Sequence, residues 1–181
     1  MINELVALIK KIAYEKRKVI LASGKESDFY VDLRAITLHP KGLYLTSHLL
    51  FDLIINKFSS VKAVGGPTLG ADPIVAGIAL VSEMKKHPLF AFIIRKEPKK
   101  HGLSKMIEGE KNLLPSCPVV IVEDVVTSGS SSFKAYNIAK DAGLNVLGIV
   151  AILDREEGAK EFFDQNNITF FSLLKKSDIL G

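Results

Sequence analysis

Apolar residues recur along this chain with two different periods, and the period changes at definite places. Leu5, Leu8, Ile9 and Ile12 fall three and four positions apart, which predicts a helix over residues 2–14. Val19–Leu21 and Phe29–Leu33 read as short strands on either side of a turn at Ser23-Gly24-Lys25. Pro40 then opens a second helix that runs to about Asn56, with Leu43, Leu50, Leu53 and Ile54 on its buried side.

From Val61 onward short apolar runs alternate with helical spacing. Val61–Val64 is a strand ending in Gly65-Gly66-Pro67, and a helix follows over Ile74–Met84. Leu89–Ile94 is a strand, Arg95–Leu113 a polar segment, and Pro118–Val122 a further strand. A helix over Ser131–Ala142, a strand over Asn145–Leu153, a helix over Gly158–Gln165 and a strand over Ile168–Phe171 complete the series. Strands that are apolar throughout, alternating with helices, predict an α/β fold with a mostly parallel central sheet and helices on both faces. Ligands of such sheets bind beyond the carboxyl ends of the strands. The residues just after Val64, Ile94, Val122 and Leu153 are therefore the ones to read for chemistry.

Composition narrows the class. A chain of 181 residues with 48% hydrophobic content suits a single domain, 1–181, with a real core. The net charge of +4 is small and scattered, so it does not point to nucleic acid and suits a small anionic substrate. One cysteine, Cys117, admits no internal disulfide and is compatible with the reducing cytoplasm. No signal peptide is expected from the opening Met-Ile-Asn-Glu-Leu-Val. The least charged stretch, Val64–Ser82, is broken by Asp72 and by prolines, so no membrane span is expected.

The most informative run follows the strand ending at Val122. It reads Glu123-Asp124-Val125-Val126-Thr127-Ser128-Gly129-Ser130-Ser131, and a helix comes after it. Adjacent carboxylates at a strand end can accept hydrogen bonds from a diol. Hydroxyls, a glycine and the free N–H groups of a helix start suit a phosphate. A diol site beside a phosphate site describes a ribose phosphate. The plainer alternative is an Asp/Ser-rich turn capping a helix. Neither a P-loop nor a G-x-G-x-x-G after a strand occurs.

This run resembles the signature of type I phosphoribosyltransferases. In that family the acids hold the ribose hydroxyls of 5-phosphoribosyl-1-pyrophosphate (PRPP) and the loop holds its 5-phosphate. The resemblance thus assigns Glu123, Asp124, Val125, Val126, Thr127, Ser128, Gly129, Ser130 and Ser131 to PRPP, together with Leu69 and Gly70.

Three further segments resemble the orotate branch of the family. Ser23-Gly24-Lys25-Glu26-Ser27-Asp28-Phe29-Tyr30-Val31-Asp32-Leu33-Arg34 is similar to its N-terminal hood, and Tyr30 and Val31 match the positions that pack on the base. Arg95-Lys96-Glu97-Pro98-Lys99-Lys100-His101-Gly102 is similar to its catalytic loop. Four cations and a histidine within seven residues repel one another unless an anion such as pyrophosphate is present. Asp154-Arg155 matches the position whose guanidinium meets the base carboxylate, with Thr127 also orienting the base. On its own each segment also reads as ordinary surface: a hairpin, a solvated lysine loop, an ion pair.

The resemblance implies transfer of ribose 5-phosphate from PRPP to orotate, giving orotidine 5′-phosphate and pyrophosphate, with Lys99, His101, Lys96 and Arg95 as catalytic residues. It also implies Mg2+, a cytoplasmic homodimer with shared active sites, and a small hood built from about 1–36 with the C-terminal segment. A flexible loop over about 95–113 completes the expectation. Two lysines common in the branch are missing, at Ala22 and at Gly70, and backbone N–H groups of the glycine loop are the expected substitute. Asp72 is a candidate magnesium ligand, with a helix cap as the plainer role. Of the histidines only His101 is assigned chemistry; His39, His48 and His87 are expected to be structural or on the surface. The alternatives are a phosphoribosyltransferase for another base, or a regulator that binds PRPP without turnover.

Overall fold

A computed structural model describes residues 1–16, 29–97 and 105–181, and the backbone alone of 19–20 and 26–27. The chain opens with helix α1 (Ile2–Ile12), which buries Leu5 and Ile9. Four two-residue strands follow: β1 (Tyr14–Glu15), β2 (Val19–Ile20), β3 (Glu26–Ser27) and β4 (Tyr30–Val31). The sequence predicts a simple hairpin here, and the pairing differs. β2 pairs with β3, while β4 returns to β1, opposing Val31 to Tyr14 and Tyr30 to Glu15. Tyr14, expected in the first helix, is instead strand, and its ring lies 5.3 Å from that of the fully buried Phe29. The predicted turn at Ser23-Gly24-Lys25 and Ala22 lie outside the described residues.

A single-turn helix α2 (Arg34–Thr37) and the long helix α3 (Pro40–Lys57) come next. His39 caps α3, its Nδ1 accepting from the Gly42 N–H at 3.3 Å. The remaining elements are β5 (Ala63–Pro67), α4 (Asp72–Met84), β6 (Phe90–Ile94), β7 (Ile107–Glu108), β8 (Pro118–Val126), α5 (Ser130–Asp141), β9 (Asn145–Asp154), α6 (Ala159–Gln165), β10 (Phe170–Lys175) and α7 (Lys176–Leu180).

The sheet has six strands in the order β10-β9-β8-β5-β6-β7, parallel except for β7. Alternate residues of β8 serve opposite faces. Val120 and Val122 join the core formed with α1, α3 and α4, and Val119 and Ile121 join the core formed with α5 and α6. The expected α/β class with helices on both faces is what the chain forms.

Three departures from the expected elements lie near the strand ends, each for a reason in the pairing. β5 takes in Gly65-Gly66-Pro67, which reads as a turn in the sequence, because all three residues pair with β6 and Gly65 also pairs with β8. An added Cβ would lie 2.2 Å from the Phe92 ring at Gly65 and 2.1 Å from the Val122 carbonyl at Gly66, so only glycine permits this approach. β8 runs on to Val126 rather than stopping at Val122, because β9 is long enough to pair with it as far as Asp154. Within the polar segment, Ile107 is buried and anchors β7 against Ile94.

The order of connection reverses between β5 and β8: β6 is added on one side, β9 and β10 on the other. Crevices at such reversal points are where open α/β sheets bind ligands.

Candidate active site

A cavity of ≈ 360 Å³ opens at this reversal point. Its floor is Glu123, Asp124 and Val125 at the end of β8, and Ser131 at the start of α5 forms one wall. Leu69 and Gly70, from the loop between β5 and α4, form another. Tyr30 and Val31 of β4 line a further side, and so does Lys96 just beyond the end of β6. Nine expected site residues from four separate segments of the chain therefore share one cavity.

The two acids differ in environment. Glu123 is 6% exposed and accepts a hydrogen bond from the Ser132 hydroxyl at 3.4 Å. Burial, and then the neighbouring Asp124 carboxylate, push its pKa well above the usual range. Asp124 is half-buried, and its Oδ1 accepts from the Val125 N–H at 2.8 Å. Gly70 packs directly on this group: a Cβ there would come 2.7 Å from the Asp124 carboxyl. The loop therefore offers the cavity backbone alone at this position.

The turn from β8 into α5 carries the hydroxyls. Gly129 caps α5 with φ 85°, a left-handed conformation that glycine adopts without strain. The hydroxyls of Ser128 and Ser130 lie 3.1 Å apart on the exposed side of that turn. Thr127 is half-buried and Val126 buried. Val126, Thr127, Ser128, Gly129 and Ser130 are not on the cavity's walls; they flank it at the N-terminus of α5, where a helix of 12 residues directs its free N–H groups.

Other expected residues sit apart. Arg95 is bound to Glu108 at 2.9 Å and to the Glu97 carbonyl at 3.2 Å. Asp72, half-buried in the first turn of α4, accepts from the Thr68 hydroxyl at 2.8 Å; its Oδ1 is buried with no hydrogen-bond partner among the described residues. It does not cap α4, whose N-cap is Ala71. Arg155, 7% exposed, donates through Nη2 to the Phe29 carbonyl at 3.0 Å, and its Nε is 3.2 Å from the Glu157 carboxylate. Lys99 and His101 lie outside the described residues.

Five cavity residues carry no assignment from the sequence, and two of them, Asp32 and Arg34, are charged. Their signal was the Asp-Leu-Arg that follows Tyr30-Val31, a charged pair two residues apart.

No family model matches the chain. It is 46% identical to an orotate phosphoribosyltransferase of Aquifex aeolicus over 160 residues, which is 88% of this chain and 85% of that one. It is 36% identical to the orotate phosphoribosyltransferase of Sorangium cellulosum over 178 residues, 98% and 92% of the two chains. Its fold matches the Mycobacterium tuberculosis orotate phosphoribosyltransferase in complex with PRPP with a TM-score of 0.79 at 32% identity, covering 98% of both chains.

Proposed function

This chain belongs to the orotate phosphoribosyltransferases, and we propose that the crevice between β5 and β8 is where its reaction takes place. The reaction joins orotate to the ribose 5-phosphate of PRPP and releases pyrophosphate, a step of pyrimidine nucleotide synthesis. The observation that carries the assignment of the site is the pair Glu123 and Asp124 on a strand end, beside the hydroxyl loop that opens α5 and below Tyr30.

Orotate is already an anion, so little general-base work is required. The barrier lies at the anomeric carbon, where positive charge grows on the ribose as negative charge grows on the departing pyrophosphate. Catalysis is then positioning and charge stabilisation. Asp124 and Glu123 accept the ribose hydroxyls. The loop from Thr127 to Ser131 and the N-terminus of α5 hold the 5-phosphate. Lys96, Lys99 and His101 neutralise the leaving group, and Arg95 braces the root of their loop through Glu108. Tyr30 and Val31 pack on the base, and Thr127 and Arg155 orient it, the guanidinium offering a planar fork to its carboxylate.

The donor set fits magnesium carried in by substrate. Among the described residues no group of three or more His, Cys, Asp or Glu is placed to hold an ion unaided. Magnesium takes most of its ligands from water and phosphate oxygens, with one or two carboxylates from protein. Asp72, with a buried carboxylate oxygen that has no donor among the described residues, is the protein ligand we assign. When bound, the ion supplies charge neutralisation of the pyrophosphate.

We further propose a homodimer in which the loop over 95–113 completes the partner's site, within a single domain whose hood is joined by the C-terminal segment. Ile179 of α7 shares the core of Leu5 and Ile9, which supports the last point. No helix of the described residues is long and apolar enough to cross a membrane. We assign the cytoplasm, for which Cys117 as sole and buried thiol is suited. The test of the site is the loss of orotate absorbance on adding PRPP and magnesium. Wild-type protein is expected to consume orotate and the Glu123→Gln, Asp124→Asn double variant is not; full activity in that variant would remove the reaction from this crevice.

A further inference from the structure

We propose that Arg34, held in place by Asp32, binds the diphosphate of PRPP. Both residues line the cavity, beside Tyr30 and with Asp124 and Lys96 among the other walls. Asp32 grips the guanidinium along one edge: Nε donates to Oδ1 at 2.9 Å and Nη2 to Oδ2 at 2.9 Å. The Arg34 backbone N–H adds a third bond to Oδ1 at 3.1 Å. A long flexible side chain is thereby fixed before any ligand arrives, so binding costs it less conformational entropy. The guanidinium edge not used by Asp32 keeps its donors for a planar or tetrahedral anion, the geometry in which arginine serves phosphate well.

An exposed ion pair two residues apart contributes little to stability on its own. Its position gives it a different use. The cavity's described walls carry three carboxylates, Asp32, Glu123 and Asp124, against two cations, Arg34 and Lys96. PRPP brings several more negative charges to this space, and without Arg34 Lys96 would be the one cation on the described walls to meet them. The β5–α4 loop cannot contribute one, because residues 65–71 contain no cation and Gly70 is pressed against the Asp124 carboxyl. Arg34 also feels the charge of Asp124, so its guanidinium lies within electrostatic reach of the proposed ribose site. A cation there meets the diphosphate end of a ribose seated on Glu123 and Asp124.

The inference rests on the reaction read above, which wild-type turnover of orotate tests separately. The experiment uses Arg34→Gln, Arg34→Lys and Asp32→Asn, with steady-state kinetics for both substrates and calorimetric titration with inorganic pyrophosphate and magnesium. Losing one charge-assisted contact in Arg34→Gln should raise KM for PRPP and Kd for pyrophosphate about ten- to a hundredfold. KM for orotate should stay near the wild-type value. Arg34→Lys should recover part of the loss, and Asp32→Asn should lose less than Arg34→Gln because the cation remains but is no longer held. Ligand-free melting temperatures show whether the fold is kept; should Arg34→Gln melt early, the pyrophosphate affinity of Arg34→Lys decides. Unchanged pyrophosphate affinity would overturn the proposal, and so would a loss falling on orotate alone, which would make Arg34 a base contact.

Discussion

Arg155 and Phe29 stand 126 positions apart in the chain, yet the arginine's Nη2 donates to the phenylalanine's carbonyl at 3.0 Å. Its guanidinium carbon also lies 5.5 Å from the centre of the Phe29 ring. The end of β9 is thus tied to the residue that precedes Tyr30, so the arginine assigned to the orotate carboxylate also anchors the hood. Arg155→Ala is expected to lose roughly 2–4 kcal/mol of orotate discrimination through loss of a charge-assisted partner. KM for PRPP should change much less. Kinetics with both substrates check this, and unchanged orotate kinetics would reject the role.

Asp124→Asn is expected to weaken PRPP binding while the melting temperature stays close to wild type. Asp124 is half-buried at a strand end, and the fold's core lies below it. Calorimetric titration with PRPP, paired with thermal denaturation, separates the two effects. A variant that melts early and keeps its affinity would mark Asp124 as structural.

Glu123 makes stability depend on pH. Its folded pKa lies above its unfolded value, because of burial first and Asp124 second. Folding therefore favours the protonated form: stability is greatest below the unfolded pKa and declines as pH rises through the folded one. Glu123→Gln removes the charge that must be buried, so this variant should melt above wild type at pH 8, and the gap should close near pH 4. Each 1 kcal/mol of the difference moves Tm by about 2–4 °C in a chain of this size. A gap that widens toward acid would show the sign to be wrong. Activity should fall in the same variant, a case of a site kept at some expense of stability.

The parallel sheet, and the grouping of Glu123, Asp124, Val125 and Ser131 on one cavity, were legible in the sequence because continuous apolar runs and a hydroxyl-rich strand end leave local signals. Gly65-Gly66 misled because the same absence of a side chain serves a turn and a crowded strand, and only contact with Phe92 and Val122 tells them apart. The pairing of β4 with β1 was hidden because two-residue strands have no period to read. Arg34 went unassigned for another reason: its pairing with Asp32 is local, but its place on one cavity with Asp124 and Lys96 is set by the fold and is not written in the chain.

The shared-site proposal gives a mixing experiment. If the 95–113 loop serves the partner's site, Arg155→Ala and His101→Ala homodimers should each be nearly inactive. In a mixed dimer one site carries both lesions and the other neither. Random mixing of equal amounts makes about half the dimers mixed, so activity should return to about a quarter of wild type. Unfolding and refolding the two variants together, or co-expressing them with different tags, provides the sample. Activity equal to the mean of the parents would show that each loop serves its own chain.

Base choice tests the whole assignment most directly. Tyr30, Val31 and Arg155 together suit a flat base that carries a carboxylate, and uracil, adenine and hypoxanthine lack that group. The measurement is a competition in which orotate and these three bases are supplied together at equal concentration with limiting PRPP and magnesium, and the nucleotides formed are separated by chromatography. Orotidine 5′-phosphate is expected to account for nearly all the product. A purine nucleotide formed faster than orotidine 5′-phosphate would contradict it.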